Sequence, residues 1–405
     1  MKSLSARLCA VFLLGLMIPF GAVNPARAQS GGEVTDVRVE YTFGTEVIFS
    51  ARVAASVPIQ SATVSFRPAT GNTQTQPLSV NADGSVGYRF DAKSNTLPAF
   101  GTIMFWFDVT LADGTRSTSG TYNFRYTDNR FAWRDLEEGA LRVHWYEGDA
   151  AFGAAALDAA RRGLQSVANL ISVNLTEPLD VYVYSTSAEL QSALLLGGLG
   201  WIDGYASPEA GVTMISVAPG PEQSLELERQ TSHELMHVLL YRNVGANYHR
   251  VPVWLREGMA TLAELSPDPA WTPTLMQAVE SQSLLPLTNL CATFPADAEP
   301  VFLAYAESRS FTQFLLDNFG SMKLSALVTA YADGLDCEQG ALQTLGSPLS
   351  DLEIRWRASV LGENRGGLVF SSLLPYLIVV ALIFLAAAWG VVSRIFWRSN
   401  DDGII

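Results

Sequence analysis

Pro219-Gly220-Pro221-Glu222 opens a run that continues through Ser232-His233-Glu234-Leu235-Met236-His237 to Arg242, and its reading decides the fold. Proline suits a first helical turn, and Glu222 complements the positive end of the helix dipole. Asn243 to Gly245 supply a stop signal of the kind common at helix C-termini. On the helix between them, His233 and His237 are four residues apart and share a face. That spacing lets both imidazoles reach one tetrahedral Zn²⁺ at about 2.0–2.1 Å. Glu234 is rotated by about 100° from His233. There it can hold a water that the metal polarises, rather than bind the ion itself, and take the water's proton. An incidental pair of surface histidines would carry the same letters, but the chain has only 4 histidines and places two of them here.

Zinc bound by two imidazoles needs a third protein ligand and an open position. Downstream, His249, Glu257 and Glu264 are all candidates on spacing alone. Leu240 and Asn243 stand where a metzincin would carry glycine and histidine, which excludes that pattern. The segment Pro252-Val253-Trp254-Leu255-Arg256-Glu257-Gly258-Met259-Ala260 follows, with 19 residues between His237 and Glu257. Here the sequence resembles the gluzincins, specifically the peptidase MA-like group, whose second helix carries Trp-Leu-x-Glu-Gly-x-Ala. The resemblance is closest over Ser232 to Glu264 and extends more loosely from Phe131 to Trp356. It implies that Glu257 is the third metal ligand; Trp254 and Leu255 beside it read as core residues. It also implies a zinc-dependent peptidase acting on protein or peptide. The Gly-x-Met-Glu-Asn segment of aminopeptidases is missing, so no exopeptidase activity follows. Gly211 to Val217 stands in that region and reads as an edge strand able to take up an extended peptide. Tyr305 could donate to developing negative charge, although a core tyrosine is the plainer reading, and His144 and His249 are equally ambiguous.

Outward from this centre, the chain of 405 residues is long enough for two or more domains. Residues 29–127 read as an all-β sandwich of fibronectin or immunoglobulin type. Val37, Val39 and Tyr41 alternate with Arg38, Glu40 and Thr42, and further short strands follow between turns such as Asp83-Gly84 and Asp113-Gly114. This stretch holds no cysteine, so the antibody-type bridge is absent. Residues 128–361 read as an α+β, zincin-like catalytic domain, with strands first and helices after Pro221. Cys291 and Cys337 are left as a pair once Cys9 is set aside, and a bridge between them would stabilise the fold by roughly 3–4 kcal/mol.

The two ends suggest export and anchoring. Residues 1–28 read as a signal peptide, with Lys2 and Arg7, an apolar run from Leu8 to Phe20, and Ala26-Arg27-Ala28 before a cut at Gln29. Leu368 to Val392 carries no charge and is expected to cross a membrane as one helix. Arg394 and Arg398 then put the tail, 393–405, in the cytoplasm, with the catalytic domain on the outer face of the plasma membrane. The formal net charge of −14 and the absence of any basic stripe exclude a nucleic-acid partner. The expectation is therefore a membrane-anchored zinc peptidase with Glu234 as general base and His233, His237 and Glu257 as ligands. Its rival is a catalytically silent zincin-like adhesion or sensor protein, against which the intact Glu234 argues.

Overall fold

The computed structural model describes residues 32–69, 71–194, 204–363, 376–385 and 388–389. The expected signal peptide lies outside them. The chain divides into two compact units, the first built from the N-terminal stretch to Tyr41 with Val47–Phe90 and Ile103–Phe124. The second comprises Thr42–Glu46, Asp91–Thr102 and everything from Arg125 onward.

In the first unit the strands are β1 (Glu33–Thr42), β2 (Glu46–Ala54), β3 (Ile59–Pro68), β4 (Gln74–Pro77), β5 (Ser79–Val80), β6 (Ser85–Asp91), β7 (Thr102–Leu111), β8 (Arg116–Thr118) and β9 (Tyr122–Arg125). They form one sheet ordered β1-β2-β6-β5 and another ordered β4-β3-β7-β8, with β9 also on β7. The period-2 pattern explains the packing. Val47, Phe49, Ala51 and Val53 of β2 and Ile103, Phe105, Phe107 and Val109 of β7 point inward and are buried. Phe49 stacks on Phe66 at 5.1 Å between ring centroids, and Phe66 meets Phe90 edge-on at 5.2 Å. These aromatic pairs join the inner faces of the two sheets.

The second unit has a five-stranded sheet made of β10 (Arg134–Glu138), β11 (Leu141–Trp145), β12 (Leu179–Tyr184), β13 (Gly204–Ser207) and β14 (Val212–Ser216), in the order β10-β11-β12-β14-β13. Helix α1 (Ala150–Ala168) joins β11 to β12, and these two strands are parallel. β12 and β14 are parallel as well, with α2 (Ser187–Leu194) between them in the chain. Two findings differ from the sequence reading. The β11-α1-β12 crossover is a βαβ unit, which the strands-then-helices pattern did not suggest. Gly211 to Val217 contains β14, which is an inner strand, and among the described residues the edge strands are β10 and, beside β14, β13. Every residue of β12 is buried, as expected for a strand covered on both faces.

The remaining helices are α3 (Gln223–Val244), α4 (Val253–Ala263), α5 (Trp271–Ser281), α6 (Ala298–Ala332), α7 (Cys337–Leu345) and α8 (Leu349–Ser359). α6 is interrupted at Gly320, whose φ of 78° leaves the helical region. Leu227, Leu235, Met236, Val238, Leu239 and Leu240 bury α3 on several sides, so it runs through the core. α4 packs on α6 at Gly258, where a β-carbon would stand 2.5 Å from the Ser308 carbonyl oxygen. Cys291 and Cys337 form a disulfide. The Cys291 carbonyl also accepts the Val253 N–H at 3.0 Å, satisfying a donor in the first turn of α4.

Among the described residues, no helix is long and apolar enough to cross a membrane. Within Leu368–Val392, residues 376–385 are described and are helical. Residues 364–375, 386–387 and 390–405 lie outside the described residues. This corrects the expected transmembrane helix, and with it the single-pass placement and anchoring inferred from that helix.

Candidate active site

Helix α3 sets His233 and His237 one turn apart, with ring centroids 5.1 Å from each other. The 3-10 turn Gly245–Arg250 then reverses the chain into α4, which carries Glu257. Glu257 Oε2 lies 3.5 Å from His233 Nε2 and 3.4 Å from His237 Nε2. The three side chains each offer one ligand atom, all within 4.8 Å of one another, and theirs is the group that could hold a metal ion among the described residues.

Both imidazoles are held from behind. His233 Nδ1 is 3.0 Å from Glu264 Oε1, on the residue that caps α4. His237 Nδ1 is 2.9 Å from the Tyr248 hydroxyl, which the 3-10 turn supplies. With the proton on Nδ1, each ring would donate backward and leave its Nε2 lone pair free for a metal ion. The Arg256 guanidinium lies 4.8 Å over the Tyr248 ring and helps fix that tyrosine. The donor chemistry thus fits a divalent metal of the zinc type: two imidazole nitrogens and one carboxylate oxygen, with outer partners that set the tautomers.

The electrostatics follow from crowding at low solvent access. Burial pushes the His233 imidazole down, but its hydrogen bonds to Glu257 and Glu264 outweigh this and raise it well above the usual value. Burial likewise pushes Glu257 up, and the charges of His237 and His233 overcome it, leaving the carboxyl far below the ordinary range. Glu234 is buried and ends up raised: desolvation exceeds the pull of His233 and His237, and Glu257 and Glu264 add to the rise. Tyr305, from α6, has its ring centroid 6.2 Å from that of His233. Its hydroxyl is raised well above 10 by burial and then by Glu257, Glu234 and Glu264, so it stays protonated.

These groups lie in a cleft of about 1440 Å³. Gly204 and Tyr205 of β13 line one part of it, Thr274 and Gln277 of α5 another, and Pro300 and Phe302 at the start of α6 a third. Of the other residues singled out in the sequence, Glu264 is present behind His233 rather than beside Glu257. His249 is in the 3-10 turn with Nδ1 2.7 Å from the Ala246 carbonyl, outside the metal-competent group. His144 lies in β11, 3.0 Å from Asp180 and stacked on Tyr182, also outside that group. Tyr248 went unnoticed in the sequence, where an exposed-looking Asn-Tyr-His turn gives no sign of a partner eleven residues back.

Solved structures that resemble parts of the chain include a carbohydrate-binding module of family 56 that binds β-1,3-glucan. It is 17% identical, with 23% of this chain and 99% of that one covered and a TM-score of 0.18. A structure titled as a myokine is 12% identical, with 24% and 99% covered and a TM-score of 0.20. Wild-type OgpA of Akkermansia muciniphila is 16% identical, with 26% and 31% covered and a TM-score of 0.21. At these scores the likenesses say nothing of activity. No curated protein matches the chain. Residues 159–362, half of the chain, match the family described as the Peptidase MA superfamily. That span runs from within α1 past α8 and takes in the whole cluster on α3 and α4, so this chain belongs to the Peptidase MA superfamily, a group of peptidases.

Proposed function

We propose that this chain is a zinc-dependent peptidase in which His233, His237 and Glu257 hold the ion and Glu234 is the general base. The observation that supports it most is the convergence of the three donor atoms, with each imidazole backed by its own partner. Zinc held there would supply Lewis acidity, lowering the pKa of a water to about 7 and polarising a carbonyl. The protein's own residues do the rest. Glu234 accepts the proton of the attacking water on its carboxylate and passes it to the leaving nitrogen. Its carboxyl is buried, and desolvation raises its pKa above the usual carboxylate value. Tyr305 keeps its proton and donates a hydrogen bond to the oxygen that gathers charge. An extended peptide would lie along β13, whose outer edge has no strand partner among the described residues.

The test measures zinc content and hydrolysis of a peptide panel on the same preparations, with a chelator control. Glu257→Ala should lose most of its zinc, because two imidazoles on one helix remain. Glu234→Gln should keep zinc while turnover falls by about 10²-fold or more. Full zinc in Glu257→Ala, or wild-type turnover in Glu234→Gln, would overturn the assignment.

A further inference from the structure

Gly204 is the first described residue of β13 and pairs with Ile215 of β14. A β-carbon at this position would stand 3.1 Å from Glu234 Cδ and 3.2 Å from Glu234 Cγ, and closer still to Oε1. Ordinary carbon–carbon contacts are about 3.5–4.0 Å, so no side chain fits between the strand and the carboxylate. A glycine in a strand often marks a place where another group approaches the backbone closely. Here the approaching group is the side chain between the two histidines.

We propose that Gly204 is the positioning residue for Glu234: the bare Cα of the edge strand is the surface on which the general base is seated. The contact can fix the carboxylate because the helix behind it cannot give way. Ser232, Leu235 and Met236 are completely buried, so α3 cannot slide back from the strand. Any bulk added at 204 is therefore relieved by rotating Glu234 itself. The same contact ties the base to the strand along which a peptide would be laid, so it sets the distance between base and substrate backbone. A displacement of about 1 Å in such a constellation is enough to cost about 10²-fold in rate.

The inference rests on Glu234 being the base proposed above, and its test has one arm that does not depend on activity. In the metal-free chain, Gly204→Ala should lower the melting midpoint by about 2–4 °C, as overpacking does. Made on a Glu234→Asp background, where the carboxylate is one methylene shorter, the same change should cost less than about half as much. In the zinc-loaded chain, Gly204→Ala should keep its metal and lose roughly 10-fold or more in kcat with little change in KM. An equal fall in midpoint on both backgrounds would make the glycine a requirement of the strand alone and overturn the proposal. Wild-type kcat in Gly204→Ala would overturn it too. If the wild-type chain cleaves no peptide while the melting coupling persists, the seating contact stands and the peptidase reading is the one that fails.

Discussion

Removing Glu264 should weaken metal binding although this carboxylate is not one of the three proposed ligands. Its Oε1 lies 3.0 Å from His233 Nδ1, and the residue is 7% exposed, so no bulk water stands ready to take its place. Loss of such an outer partner typically costs 10–100-fold in metal affinity, or about 1.4–2.7 kcal/mol. Two variants separate the ends of that range. Glu264→Ala leaves the His233 N–H without an acceptor in a buried site, so it belongs at about 100-fold. Glu264→Gln keeps an acceptor oxygen but not the charge, so it belongs nearer about 10-fold. The assay is a zinc titration of the metal-free chain against a competing chelator at fixed pH and salt. Glu257→Ala should lose more than either variant, and His249→Ala should match wild type. If Glu264→Ala bound zinc as tightly as wild type, the outer hydrogen bond would not be orienting the ring. If His249→Ala bound more weakly than Glu264→Ala, the ligand set itself would be wrong.

Three other perturbations have defined outcomes. Glu307 is buried, and desolvation raises it from 4.5 to about 8, against the pull of the Leu285 N–H and Arg357 and with the push of Glu353 and Glu363. Below 4.5 it is protonated in both folded and unfolded chains. Between 4.5 and about 8 only the folded chain keeps the proton, so stability falls by about 1.4 kcal/mol per pH unit as pH rises. Glu307→Gln should therefore melt above wild type at pH 8, with the gap closing by pH 5, and an equal gap at both would refute the raised value. Gly258→Ala should cost about 1–3 kcal/mol at the α4–α6 contact, read as a lower melting midpoint; an unchanged midpoint would deny the close approach. Replacing Cys291 and Cys337 by serine should cost roughly 3–4 kcal/mol without loss of zinc, and loss of zinc would implicate a sulfur in the site.

How far the sequence could be read depended on whether the signal was local. His233 and His237 share a helix, so their spacing was enough to bring them together. β12 showed itself as Leu-Asp-Val-Tyr-Val-Tyr, a short and mostly apolar run suited to burial. Glu257 was different, because only its resemblance to a known segment singled it out from His249 and Glu264. Tyr248 and Gly204 were not legible as parts of the site. Each acts across a fold contact, and neither hydropathy nor spacing encodes which helix a strand will touch. Strand order was hidden for the same reason: β13 precedes β14 in the chain yet lies outside it in the sheet. β10 was missed because Arg-Asp-Leu-Glu-Glu looks like solvated chain, and it is an exposed edge. The apolar run Leu368–Val392 suggested a spanning helix on hydropathy alone, and among the described residues no helix is long and apolar enough to cross a membrane.

The bridge between Cys291 and Cys337 encloses the whole of α6, which carries Tyr305 and its portion of the cleft. Residues 292–336 are thus a covalent ring interrupted by no other link. A single backbone cut anywhere inside it, whether by a foreign protease or by the chain's own activity, separates no fragment. The nicked molecule would keep its apparent size on a non-reducing gel and fall into two pieces only when a thiol is added.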